Sequence, residues 1–191
     1  MENIKGNRRT ISIIYVALFA ALSAVGAFIR VPLPYVPITL QVFFCVLAAM
    51  LLGTRLAVLS QIVYILIGLS GIPVFTMGGG PAYVLQPTFG YLLGMVLCTF
   101  IIGKLNEHLK EPKIIKLFLI NIAGVMAMYL VGVPYLYVLK NIYMGSQTSA
   151  WKILYSGFLA TIPGDILKCY LAALVGTRLK KDNRLIKSRL Y

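Results

Sequence analysis

Acidic residues are what this chain has least of. Its 191 residues hold 5 Asp and Glu against 18 Lys and Arg, with one histidine, His108. Chemistry that needs paired carboxylates, a metal-binding cluster or a Ser-His-Asp relay has almost nothing to draw on. Cys45, Cys98 and Cys169 show no CxxC spacing and all fall in apolar runs, which makes them small packing residues. No metal site and no cofactor are expected. A Gly-x-Ser-x-Gly elbow and a Walker sequence are also missing, so any ATP used must be hydrolysed by another chain. Charge of either sign is scarce too. Only 12% of residues are charged while 60% are hydrophobic, where a soluble domain carries about 25% charge. A soluble enzyme is excluded.

What the chain does have is a series of long apolar runs, each separated from the next by polar or glycine- and proline-rich residues. They predict an all-α membrane protein, one domain over 1–191, with six transmembrane helices at about 11–29, 38–52, 56–69, 88–105, 117–133 and 151–179. The run after Lys5, Arg8 and Arg9 is long and lacks a convincing cleavage site, so it is read as the first span. The net charge of +13 does not indicate nucleic acid, because the basic residues sit between apolar runs and act as topology signals. In a six-span arrangement, 14 of the 18 fall on the side of the two termini; only Arg30, Lys140 and Lys152 face the other way. That bias predicts cytoplasmic N and C termini.

Three segments then face outward. Arg30 to Pro37 holds three prolines in six residues, which favours a stiff extended segment over a helix. Gly68 to Pro87 is broken by glycine and proline, bears no charge and is still greasy. Such a loop is expected to fold over the bundle mouth, where irregular backbone is tolerated if it lines a cavity. Its run Gly78-Gly79-Gly80 permits close backbone approach to a ligand. The third segment, after Pro134, is rich in tyrosine.

Within the last run, Trp151 to Leu179, Asp165 is the only acid, and Lys168 follows three residues later on the same helical face. An ionisable group at membrane depth costs about 2.5–3.5 kcal/mol on insertion scales and is usually turned inward. Asp165 lies fourteen residues before Leu179, about 20 Å from the inner end at 1.5 Å per residue, hence in the outer half. Pro163-Gly164 just before it is expected to weaken the helix there. Gln41, Tyr83 and Asn121 are further polar candidates. One carboxylate, one ammonium and a few amides in an apolar outward cavity suit a small solute with a polar head. The residues by themselves leave open a binding subunit, a self-sufficient carrier, an intramembrane enzyme or a scaffold.

Four motifs narrow this. Val36-Pro-Ile-Thr-Leu-Gln41, Gly68-Leu-Ser-Gly-Ile-Pro-Val-Phe75, Pro87-Thr-Phe-Gly-Tyr91 and Ile162-Pro-Gly-Asp-Ile-Leu-Lys168 occur in this order. With them the chain resembles the BioY family, the biotin-specific substrate-binding (S) components of energy-coupling-factor (ECF) transporters. The resemblance implies an S-component-like six-helix bundle in a prokaryotic plasma membrane. It implies biotin as the transported ligand, a transmembrane coupling subunit and two ABC ATPase subunits as partners, and no catalytic residues. It also implies that Ala17 and Ala21 form the AxxxA contact to the coupling subunit, although Ala20 and Ala24 offer a second register. For biotin, Asp165 is expected to accept from the ureido N–H groups and Lys168 to donate to the ureido oxygen. The alternative assignment gives Lys168 the valerate carboxylate. Gln41, Tyr83, Asn121 and Gly79 complete the candidate set. A gradient-driven carrier for biotin or a similar vitamin is the other transport reading.

Overall fold

The computed structural model describes the backbone of residues 2–109 and 113–182, with side chains from Arg9 onward as far as Leu179. Lys110 and the basic tail from Arg184 lie outside the described residues. Helix α1 (Glu2–Phe28) leads into a short antiparallel hairpin of β1 (Arg30–Val31) and β2 (Ile38–Thr39). Contrary to the expectation from sequence, the proline segment is not extended throughout: it bends at Pro34–Val36 and doubles back, so that Val31 pairs with Ile38. Ile38 and Thr39 are consequently strand residues, and helix begins only at Gln41. Then follow α2 (Gln41–Leu69), a 3-10 turn at Pro81–Leu85, α3 (Phe89–Glu107) and α4 (Ile114–Val138). The described residues end in α5 (Ala150–Leu154) and α6 (Ile162–Asp182), joined by a π-turn at Tyr155–Leu159.

Among the described residues five helical stretches are long and apolar enough to cross a membrane: Arg9–Phe28, Gln41–Leu69, Phe89–Glu107, Ile114–Tyr143 and Ala150–Leu179. One of them is not straight. Gly53 interrupts α2 with φ 75° and ψ 176°, a backbone shape that disfavours any residue with a Cβ. Gln41 Nε2 donates to the Tyr64 hydroxyl at 2.9 Å, yet a straight helix would hold these residues about 35 Å apart. The two halves of α2 therefore fold back on each other at Gly53. The expected break between 52 and 56 lies there.

The other ends move for identifiable reasons. Pro134 does not stop the fifth run: α4 continues through it to Val138, and a π-turn extends to Tyr143. Membrane helices accept such a proline when neighbours hold the segment. Here Leu136 is fully buried and the Tyr135 hydroxyl donates to the Val84 carbonyl. In the last run, the helix is interrupted at Ala160–Thr161 and restarts at Ile162. Pro163 thus occupies the first turn of α6, where its missing N–H is harmless, instead of kinking a helix interior.

α3 packs between α2 and α4, α1 lies along α2, and α6 closes against α2 and α4. Without water to drive helices together in lipid, contact depends on close fit. A Cβ at Gly94 of α3 would stand 2.5 Å from the Met128 carbonyl of α4, so the pair packs at backbone distance. At one end of the bundle, Asn106 and Glu107 of α3 clamp the α2 reversal. Asn106 Nδ2 donates to Met50 O at 3.0 Å, and Glu107 accepts from the Thr54 hydroxyl and amide at 2.6 and 3.2 Å. The carboxylate caps the helical arm that starts after Gly53. At the opposite end, the greasy loop folds inward: Phe75 is buried between the Tyr64 and Tyr83 rings.

Candidate functional site

Beneath that loop lies a small cavity of about 40 Å³, well below the volume of a site that holds a drug-sized ligand. The β-hairpin supplies Val36, Pro37, Ile38 and Thr39, and the start of α2 supplies Gln41 and Val42. Leu92, Met95 and Met128 continue an apolar wall, while Tyr129, Thr161, Asp165 and Lys168 form a polar cluster. A ligand with an apolar body and a hydrogen-bonding head matches this division.

Asp165 and Lys168 are 4% and 7% exposed, so both charges are removed from solvent and must find partners inside the protein. They find each other, Lys168 Nζ donating to Asp165 Oδ1 as an i, i+3 pair on α6. Lys168 also donates to the Thr39 carbonyl at 2.7 Å. Asp165 Oδ2 accepts from the Tyr129 hydroxyl, which lies 2.8 Å from Thr161 Oγ1. A position in the first turn of α6 adds the favourable field of the helix N-terminus to the carboxylate. The ammonium has three N–H groups, and one remains beyond these two bonds. Each carboxylate oxygen keeps a second lone pair. The pair can thus serve a ligand that presents an acceptor beside a donor.

The other candidates separate. Gln41 lines the cavity, with its amide held by Tyr64, whose hydroxyl donates in turn to Val74 O. Tyr83 stands behind the wall. Its hydroxyl lies 2.9 Å from Thr76 Oγ1 and 2.8 Å from Thr88 Oγ1, and both threonines line the cavity. Asn121 is buried between helices, donating to the Cys169 carbonyl at 3.1 Å, and is not in the cavity wall. Gly79 is not in the wall either. A Cβ there would meet Ile72 O at 2.3 Å, and Gly80 N donates to Gly68 O at 2.7 Å. At Gly79 the loop packs against its own backbone.

Sequence reasoning missed Tyr129, Thr161 and the Thr39 carbonyl. A signal existed for the first. A buried carboxylate needs donors from a neighbouring helix, and Tyr129 and Asn121 are the polar side chains in the apolar run 117–133. The α1 alanines are also sorted. Ala20 is buried, while Ala17 and Ala21 lie on the open side with Ile13, Ile14, Leu18 and Val25.

The family model for BioY matches residues 2–184. The chain belongs to the BioY family. It is 47% identical over 172 residues to a probable biotin transporter BioY of Lysinibacillus sphaericus, covering 90% of this chain and 88% of that one. It is 39% identical to the biotin transporter BioY of Thermotoga maritima, covering 88% and 95% of the two chains. Its fold matches the crystal structure of the S component for biotin from an ECF-type ABC transporter with a TM-score of 0.80 and 29% identity, over 92% of this chain and 93% of that one. Apolar helices and BioY relatives together make this a multi-pass membrane protein, and the family is one of transporter components, not enzymes.

Proposed function

We propose that this protein binds biotin from outside the cell and delivers it as the substrate-specificity subunit of an ECF-type transporter, with partner subunits hydrolysing ATP. The observation that carries the reading is the Asp165–Lys168 pair, buried and lining a cavity that also has an apolar wall of Val42, Leu92, Met95 and Met128. Biotin's ureido group offers N–H donors beside a carbonyl acceptor, its thioether ring is apolar, and its valerate ends in a carboxylate. Asp165 accepts from a ureido N–H and Lys168 gives its remaining N–H to the ureido oxygen. Hydrogen bonds to charged groups are worth about 1.5–3 kcal/mol each. Gln41 is a further contact, Tyr83 and Gly79 hold the loop that covers the site, and Asn121 ties α4 to α6.

The chain forms one domain of six membrane crossings, the two arms of α2 counting separately, with both termini cytoplasmic. Two observations support this: the fold-back at Gly53, and 14 of the 18 basic residues lying in the segments that this topology puts on one side. Ala17 and Ala21 meet the transmembrane coupling subunit, their open face being consistent with that role. No cofactor enters, since biotin is cargo.

Comparing biotin with its methyl ester on the wild type and on Lys168→Met separates the two binding poses. If Lys168 reads the ureido oxygen, the substitution weakens both ligands alike. If it reads the valerate, the ester already binds weakly to the wild type and the substitution costs it nothing more. Reconstitution into liposomes without ATPase partners addresses the carrier reading: uptake there would replace the ECF assignment.

A further inference from the structure

Tyr129 has a role that neither the charge pattern nor the ion pair accounts for, and it rests on the reading of Asp165 as the ligand's acceptor. Its ring is fixed from two sides, edge-on to Phe158 at 4.9 Å and to Tyr91 at 6.1 Å between centroids. Its hydroxyl is therefore delivered from α4 to one place, Asp165 Oδ2. Thr161 Oγ1, one turn before Asp165, lies 2.8 Å from that hydroxyl and can donate to it while Tyr129 donates to the carboxylate. Oδ1 belongs to Lys168. The two carboxylate oxygens are thus engaged by different helices, which fixes the plane of the carboxylate relative to the cavity.

We infer that Tyr129 is a positioning residue for ligand recognition: it clamps Asp165 Oδ2 so that the carboxylate, held in one orientation, presents its remaining lone pairs to the ligand's N–H donors. Without the clamp, the side chain would turn about its last torsion, a soft two-fold rotor. The ion pair to Lys168 alone fixes a single oxygen.

Aspartate occurs only at positions 165 and 182. In an Asp182→Asn background, aspartate labelled with ¹³C at its side-chain carboxyl therefore reports on Asp165 alone. The antisymmetric carboxylate stretch is read by infrared spectroscopy with Tyr129 present and with Tyr129→Phe, and biotin affinity is measured on both. Loss of a strong donor should move the band to higher wavenumber and weaken biotin by about tenfold to a hundredfold. In an Asp165→Asn background, Tyr129→Phe should then cost no more than about twofold, because it acts through the carboxylate. An unmoved band overturns the inference whatever the affinity does. So does a full affinity loss that persists in the Asp165→Asn background, which would make Tyr129 an independent contact. Should the wild type bind no biotin while the band still moves, the ligand assignment fails and the clamp stands.

Discussion

Lys168 Nζ donates to the backbone carbonyl of Thr39 at 2.7 Å, joining groups 129 residues apart in the chain. That bond ties α6 to the β-hairpin, and Leu40 N continues the tie to the end of α1 through Gly26 O at 3.1 Å and Ile29 O at 3.0 Å. One side chain therefore binds the carboxylate beside it and the segment that walls the cavity.

The ion pair should show the asymmetry of buried charges. Asp165→Ala leaves Lys168 uncompensated and is expected to destabilise the protein by about 3–5 kcal/mol. Replacing both, Asp165→Asn with Lys168→Met, should restore much of that loss while leaving biotin binding abolished. Thermal or SDS unfolding of the three proteins checks it. Equal instability of single and double replacements would contradict the pair as the source.

Glu107 should matter for folding and not for the ligand. It caps the α2 arm that begins after Gly53, from a partly solvated position. Glu107→Ala is expected to cost about 0.5–1 kcal/mol, the low end for a cap because solvent screens the site. Biotin affinity, measured alongside the unfolding curve, should be unchanged.

Close packing of α3 on α4 gives a sharper stability test. At Gly94 a Cβ has no room against Met128 O, so Gly94→Val must push the helices apart. Overpacking of this kind costs about 1–3 kcal/mol. Because Met95 and Met128 both line the cavity, biotin affinity should fall with stability here, unlike at Glu107.

If the open face of α1 meets the coupling subunit as proposed, changes there should separate binding from transport. Ala17→Leu and Ala21→Leu point away from the bundle and should leave biotin affinity within about twofold. Assembly with the coupling subunit and ATP-driven uptake should be lost. Measuring both on the same preparations decides it: reduced affinity would place these alanines in the internal packing.

Charge was the most legible feature of the sequence. A lone acid and a lysine three residues on, in an otherwise apolar run, pointed to the pair that now lines the cavity. Gly53 likewise marked the reversal, and the prolines marked a break in helix, because backbone restrictions are local; that the broken segment folds into a hairpin was not legible. What was not legible depended on the third dimension. Tyr129 reads as one more apolar-run aromatic until α4 is set against α6. Nor does the sequence show that Gly79 packs closely against the backbone of Ile72. Pro134 reads as a stop because proline usually ends helices, and only packing around Leu136 overrides it.

Biotin binding by the purified protein tests the central claim most directly. Trp151 is 65% exposed, on the short α5 outside the cavity, so its fluorescence is a poor reporter. Equilibrium dialysis with radiolabelled biotin is the better measurement, run on the wild type and on Asp165→Asn. Saturable binding by the wild type in the nanomolar to micromolar range is expected. In Asp165→Asn it should weaken by about tenfold or more, since a charged hydrogen-bond partner is lost. No binding by the wild type in that range, or equal binding by both proteins, would contradict the account.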